Sequence, residues 1–406
     1  MTEKVSMHRI EFIALCAMLF ATVAFSIDAM LPALPEIGRD LSSDNPNRAQ
    51  LILTSYVLGM GIGTFFSGPL SDRFGRKPVL IVGAVIYCFS AFIAWLSQSL
   101  EVILIARTIQ GIGTAGPRIV TIAIIRDLFV GREMARIISF AMMIFTIVPA
   151  IAPALGAIII SFSGWRSIFL AFILFSLITV AWVVVRLPEP LRLEDRRPFS
   201  IQKLISGVFE MSRIASVRAS ILVQSLIFGT LFGMLSSIQQ VYDITFGHGE
   251  DFHLWFAGVA LLSGSASFLN ARLVMRLGMR FIITVATGVQ TLVAGIMLLT
   301  SVMIPTGETL FYIFVLWQAS IFFGVGMTLG NLNALAMEPL GHMAGTAASV
   351  LGAISTILGA LIAVPIGLAF NGTVIPLSGA VTACSAISFL LMLRMQVFEK
   401  TRKTTT

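Results

Sequence analysis

Apolar runs of about twenty residues, each closed by charges, prolines or glycines, recur from one end of this chain to the other, and a run of that length is what a helix needs to cross the hydrocarbon of a bilayer. Read between those breaks, the spans fall near 11–35, 49–70, 78–98, 100–125, 137–161, 165–187, 219–242, 252–275, 280–303, 309–335, 343–370 and 374–395. Twelve crossings joined by short loops use nearly all of the 406 residues. With 57% hydrophobic and 12% charged residues and a mean hydropathy of +0.95, the solvent for this chain is lipid, and a water-soluble globular domain is excluded. The expected fold class is all-α: a polytopic membrane protein of twelve transmembrane helices.

A net charge of +7 would point a soluble protein toward nucleic acid or an anionic surface, but here the basic residues are sorted by loop, so their meaning is topological and no nucleic-acid partner is expected. With the N-terminus placed in the cytoplasm, 22 of the 27 lysines and arginines fall on the inner side; Arg39, Arg48 and Arg166 fall outside, and Arg107 and Arg118 lie within a span. One missed helix would invert every later loop, so this bias supports the span count independently of hydropathy and sets both termini in the cytoplasm. Lys4 and Arg9 before an apolar stretch look like a signal peptide, but the stretch runs beyond about twenty residues and further spans follow, which reads as a retained first helix. Cys16, Cys88 and Cys384 sit singly inside apolar runs, without disulfide or metal spacing.

The longest loop, 187–219, carries Pro188, Pro190 and Pro198 around a charged stretch and cuts the chain almost in half. The expected organisation is residues 1–187 as one six-helix bundle, 188–218 as a cytoplasmic linker and 219–406 as a second six-helix bundle. Ser200 can cap a linker helix in which Ile201, Leu204, Ile205, Val208 and Phe209 follow helical spacing, an amphipathic pattern suited to the membrane surface. The halves also repeat. Gly68-Pro-Leu-Ser-Asp-Arg-Phe-Gly-Arg-Lys77 returns in weakened form as Ala271-Arg-Leu-Val-Met-Arg-Leu-Gly-Met-Arg280, and Gly111-Ile-Gly113 returns as Gly324-Val-Gly326. Two such repeats suggest a carrier that rocks about a central site.

Ionisable side chains inside the bilayer cost at least ~2.5–3.5 kcal/mol each, so they are functional candidates. Asp28 lies seven residues before the end of span one, and Arg107 about seven residues into span four from the same outer side. At 1.5 Å per residue both sit roughly 10 Å inside the boundary. Ala17, Ala21 and Ala24 share the Asp28 face; Arg107, Gly111, Thr114 and Arg118 share one face of span four, with Pro117 placed to bend its inner half. These faces are expected to meet at a cavity where a carboxyl group, its distance from an arginine changing between states, takes up a proton in one state and releases it in the other. The alternatives are a fixed Asp28 to Arg107 ion pair that only orients helices, and an Arg118 that snorkels to the inner surface. Glu11 and Glu338 lie at inner helix ends, where solvation accounts for them.

On span seven, Gln224, Gln239 and Tyr242 share roughly one face with Phe228, Leu231 and Leu235, a mixture suited to amphiphilic ligands. Tyr56, Gln110 and Thr114, Met142 and Phe145, Trp317 and Gln318, and Ser355 extend the candidate substrate cavity, and each alone also fits ordinary packing. Gly111-x-Gly113-x-x-Gly116 matches a dinucleotide fingerprint but lies in mid-membrane without a preceding strand, so it reads as small-residue helix packing. Asn371-Gly-Thr373 has the form of a glycosylation acceptor and carries little meaning in a chain of bacterial type. The histidines, His8, His248, His253 and His342, lie at loops or ends without metal spacing, so no metal, cofactor or enzymatic activity is expected.

These residues together resemble the major facilitator superfamily and, within it, the twelve-span drug:proton antiporters of the bicyclomycin-resistance type. Gly68 to Lys77 resembles the family's signature loop, Gly-x-Leu-x-Asp-Arg-x-Gly-Arg-[Lys/Arg]; Arg107-x-x-Gln110-Gly111-x-Gly113 resembles its span-four motif; and Asp28-x-x-x-Pro32-Ala-Leu-Pro35 resembles the span-one motif that carries the coupling acid. Pro149-x-x-x-Pro153-x-x-Gly156 resembles the antiporter motif of span five, with proline where a glycine-type residue is usual. The resemblance implies the major facilitator fold, alternating access around spans one, four, seven and ten, proton coupling through Asp28 and Arg107, and a conformational gate made of Gly68, Asp72, Arg73, Gly75 and Arg76. Arg126 and Asp127 are expected as local partners of Asp72. The implied function is proton-driven export of small amphiphilic drugs or toxic compounds by a monomer in a bacterial inner membrane. A proton-coupled carrier of one metabolite, exporter or symporter, is the alternative, and transport direction separates the two.

Overall fold

The structure, a computed structural model, describes residues 7–404, with the backbone alone for residues 135, 144–146 and 396–404. Lipid offers no hydrogen-bond partners, so a backbone crossing it closes its own bonds, and every regular element among the described residues is helical. The first crossing is α1 (Arg9–Asp28), which passes through a tight turn at Leu31–Ala33 into α2 (Leu34–Leu41), because Pro32 and Pro35 interrupt the helical ladder. Then follow α3 (Leu51–Phe74), α4 (Arg76–Leu96), α5 (Leu100–Leu128), α6 (Gly131–Ser163), α7 (Ser167–Arg186), the linker helix α8 (Ile201–Arg213), α9 (Ala215–Gln240), α10 (Phe252–Leu277), α11 (Met279–Met303), α12 (Glu308–Met337), α13 (Ala344–Leu368) and α14 (Ile375–Thr404).

Eleven helical stretches among the described residues are long and apolar enough to cross a membrane. One of them, Glu308–Leu368, has 61 residues, which at 1.5 Å per residue is about three times the ~30 Å hydrocarbon thickness, so it crosses twice. The reversal lies at Glu338–Met343, where Leu340 leaves helical geometry at φ −113° and ψ 20°. Twelve crossings result, each overlapping one read from the sequence. The helices overrun the apolar runs: α6 begins at Gly131 rather than near 137, because Arg132, Glu133 and Arg136 break hydrophobicity without breaking a helix.

Small residues set the crossings. A Cβ at Gly111 would lie 2.1 Å from the Tyr56 carbonyl oxygen, and one at Gly59 would lie 1.9 Å from the Thr108 carbonyl oxygen, so α3 and α5 touch backbone to backbone. Gly113 and Gly83 do the same for α4 and α5. The apparent dinucleotide fingerprint is therefore a packing stripe on α5. Gly156 meets α6 to α1 in the same way, its virtual Cβ 2.2 Å from the carbonyl oxygen of Ala29, next to Asp28. Helices α3 and α13 also run together along their length, Gly61 on Ile357 and Gly68 on Ser349.

The Ser200 side chain accepts the Lys203 N–H at 3.2 Å and starts α8. Leu204, Gly207 and Met211 are buried, with Gly207 against Met343 and Thr346, whereas Ile201, Ile205 and Phe209 form an exposed apolar stripe on the other side. The Glu210 carboxylate reaches His342 at 2.7 Å, tying α8 to the reversal before α13.

Candidate functional site

Burial at membrane depth brings Asp28 and Arg107 into one layer made by α1, α3 and α5. Asp28 is 5% exposed and Arg107 fully enclosed. Equal depth permits an ion pair, but none joins them among the described residues. The guanidinium instead donates Nη2–H to the Ser26 carbonyl at 2.8 Å, Nη1–H to Gln110 Oε1 at 2.8 Å and Nε–H to the Ile52 carbonyl at 3.4 Å. It also lies 4.3 Å over the Tyr56 ring. Carbonyl dipoles and an aromatic face thus solvate the cation, and no carboxylate neutralises it. The Ser26 hydroxyl shares a 2.6 Å hydrogen bond with the Tyr87 hydroxyl. The Tyr56 hydroxyl and Gln110 Nε2 are buried without a partner, while Thr114 bonds back to its own helix at Gly111. Arg118 is half-buried on the same face of α5, eleven residues deeper.

Polar groups expected on the later spans are brought to the core, and many share one property. Gln224 Oε1, Gln239 Oε1, Trp317 Nε1, Gln318 Nε2 and Ser355 Oγ are buried and make no hydrogen bond. Buried polar atoms are paired in the great majority of cases, so unpaired ones are candidates for contact with a polar ligand; Gln224 lies about 22 Å along α9 from Gln239, so they do not form one cluster. Gln224 Nε2–H donates to Asn333 Oδ1 at 3.2 Å, and the Tyr242 hydroxyl donates to Gln318 Oε1 at 2.8 Å. Tyr242 reaches α12 because the end of span seven winds into a π turn at Val241–Thr245, which rotates it away from the regular face read from the sequence. Phe228 stacks on Phe232 at 5.4 Å between ring centres. Met142 is 41% exposed on α6, and the side chain of Phe145 lies outside the described residues.

At the end of the molecule opposite the basic loops, the first six crossings are sewn to the last six. Asn47 Nδ2–H donates to the carbonyls of Phe370 at 2.7 Å and Leu368 at 3.3 Å. The Gln50 amide donates to Gln240 and accepts from the Ser237 hydroxyl. Among the described residues, every side-chain hydrogen bond between 1–187 and 215–404 lies at this end, and no ion pair crosses at the other. Asn47, Gln50 and Gln240 were missed by sequence reasoning: uncharged amides near helix ends carry no cost that marks them out.

At the basic end, the signature loop turns through Gly75 at φ 105°, a conformation that favours glycine. Arg76 is its hub: the buried guanidinium donates to Asp72 at 2.5 Å, to the Ser71 hydroxyl at 2.7 Å and to Asp127 at 2.8 Å. Asp72 is therefore held by Arg76 from its own loop; Arg126 reaches only Asp127, at 3.9 Å, and Arg73 lies 5.1 Å over the Phe74 ring. A residue not anticipated completes the cluster. Glu189, in the linker, accepts the N–H groups of Arg76 at 2.8 Å and Lys77 at 3.0 Å, capping α4 with a carboxylate. The Arg197 N–H donates to the Asp72 carbonyl at 3.0 Å, so the linker's first part lies against the loop. Glu11, expected to be solvated, instead binds Arg186 at 2.6 and 2.8 Å and joins α1 to α7. No group of three His, Cys, Asp or Glu able to hold a metal occurs among the described residues.

A bundle of twelve lipid-crossing helices with enclosed ionisable and polar groups, and no extramembrane domain among the described residues, defines a multi-pass transport protein. The chain belongs to the Major Facilitator Superfamily, whose family profile it matches over residues 13–364. It is 29% identical to a bicyclomycin resistance protein homolog of Haemophilus influenzae over 93% of this chain and 94% of that one. It is 24% identical to multidrug resistance protein D of Escherichia coli, over 86% of each chain. Among solved structures it superposes on a D-xylose-proton symporter with a TM-score of 0.75, covering 95% of this chain and 97% of that one at 15% identity, a likeness of fold alone. The family is one of transporters rather than enzymes, and the two bacterial relatives just given are named as resistance proteins.

Proposed function

We propose that the protein is a proton-coupled exporter of small amphiphilic compounds, working by alternating access in a bacterial inner membrane with both termini cytoplasmic. Residues 1–187 and 219–406 are the two bundles that rock, 188–218 is the linker, and the working unit is a monomer. The observation that carries this reading is Asp28: a carboxyl group at membrane depth, 5% exposed, with no cationic partner among the described residues, in the layer below hydrogen bonds that join the two bundles at the end opposite the basic loops. With the basic loops inside, these hydrogen bonds form a seal at the outer face. Asp28 then exchanges its proton for cargo as the seal opens and the Arg76 cluster re-forms against the other bundle. The names of the relatives, bicyclomycin and multidrug resistance proteins, support export rather than uptake. One proton crossing a ~100 mV potential releases about 2.3 kcal/mol, roughly fifty-fold of substrate gradient before any pH difference.

Everted vesicles test this directly. Wild-type protein is expected to release protons when an exported compound is added, and Asp28→Asn to abolish that release while leaving the protein in the membrane. Undiminished coupling in Asp28→Asn would remove Asp28 from the mechanism.

A further inference from the structure

Helices α1 and α6 touch backbone to backbone near their outer ends, where Gly156 meets Ala29, but at the basic end a cleft of about 820 Å³ lies between them. Its walls are apolar below the rim: Ile10 and Ile13 from α1, Ile137 and Phe140 from α6, with Ile10 72% and Phe140 39% exposed. The rim is cationic. Arg9 pairs with Glu133 across the cleft at 2.7 Å, and those two charges cancel. Arg132 and Arg136 remain, about 6 Å apart along one face of α6, with no carboxylate partner among the described residues. Arg136 lies 5.7 Å over the Phe140 ring, so one of these cations stands directly beside the apolar wall. Like charges one turn apart repel each other, and a single anion between them replaces the repulsion with charge-assisted hydrogen bonds.

Position along the helices decides which anion. Arg9 and Arg132 open α1 and α6, so the cleft runs from the ends of two crossing helices into their first turns, from headgroup level into the acyl layer. A free phosphate would meet the arginines but leave Ile10 and Phe140 facing water, whereas acyl chains cover them. Residues 1–6 contain Glu3 and Lys4, which cancel, so that segment brings no net negative charge to the rim. We propose that this cleft binds one anionic phospholipid from the leaflet at the basic end, its phosphate between Arg132 and Arg136 and its chains along the apolar walls. The site lies within the first bundle, apart from Asp28 and Arg107, and its ligand is resident lipid rather than cargo.

The test uses full-length protein purified in detergent, stripped of lipid and offered equal amounts of phosphatidylglycerol and phosphatidylcholine with the same chains, the bound lipid being counted by native mass spectrometry. Retention of one phosphatidylglycerol at least fivefold over phosphatidylcholine is expected. Arg132→Gln combined with Arg136→Gln is expected to remove that preference, while Arg276→Gln, at the basic end of α10, keeps it. Where the double variant does not reach the membrane, Ile13→Trp fills the cleft without touching its charge and is expected to lose the retained lipid. Equal retention of the two lipids overturns the proposal, and so does a preference that survives in the double variant or in Ile13→Trp. Loss of the preference in Arg276→Gln overturns it as well, because diffuse basic charge rather than this cleft would then hold the lipid. A chain lacking residues 2–6 is expected to bind as the whole chain does; phosphatidylglycerol retained by the shortened chain alone would give the cleft to the protein's own end and overturn the proposal.

Discussion

Arg107 shows how much one side chain does at membrane depth. Its planar fork spans Ser26 on α1, Ile52 on α3 and Gln110 on its own helix, so three elements meet on one cation. A lysine ammonium has three donors at one point and cannot reach acceptors spread this way. Charge-assisted hydrogen bonds of this kind contribute about 1.5–3 kcal/mol each, so Arg107→Lys is expected to lower transport at least tenfold while the protein still inserts, read as initial efflux rate per membrane-resident molecule. Wild-type rates in that variant would leave Arg107 with no role beyond its charge. That Asp28 and Arg107 would be buried at membrane depth was legible in the sequence, because lipid makes each of them expensive enough to stand out. Their separate partnerships were not, since a carbonyl acceptor such as that of Ser26 belongs to every residue and marks no position.

Among the helices, the same three-glycine stretch on α5 gives opposite expectations at neighbouring positions. A Cβ at Gly111 would sit 2.1 Å from a backbone oxygen that cannot step aside, but one at Gly116 meets nothing closer than 3.8 Å. Gly111→Ala is expected to abolish accumulation of folded protein, read as its level in the membrane, and Gly116→Ala to accumulate normally and stay within about 0.5 kcal/mol of wild type, read by thermal unfolding in detergent. Equal behaviour of the pair would deny the backbone contact between α3 and α5. Glu189 acts at the same scale, its carboxylate facing the first N–H groups of α4. Glu189→Gln keeps the shape and loses the charge, and about 0.3–1 kcal/mol of local stability with it, seen as faster hydrogen exchange at Arg76 and Lys77. Unchanged exchange there would mean the cap contributes nothing. Spacing made the helices readable; a linker acid capping a helix 113 residues earlier has no local signature.

For the whole molecule, the proposed balance between states would rest on a few side-chain amides. Asn47, Gln50 and Gln240 hydrogen-bond the two sets of crossings together at the end opposite the basic loops. Each hydrogen bond contributes about 1 kcal/mol, and with Ser237 replaced by cysteine Gln50 keeps its bond to Gln240, so Gln50→Ala in that background is expected to shift the ratio of the two states about fivefold toward the open form at that end. Thiol labelling from that side, in a cysteine-free background with Ser237→Cys as reporter, reads the shift; unchanged labelling would show that Gln50 does not hold the seal. Twelve crossings and the burial of the acid at residue 28 could be read from the chain, because hydrocarbon imposes its cost on each residue where it stands. Which polar groups meet, which stay unpaired and which end is shut arise between residues far apart in sequence. Those depend on how α3, α5, α9 and α13 come to cross, and that only the folded arrangement settles.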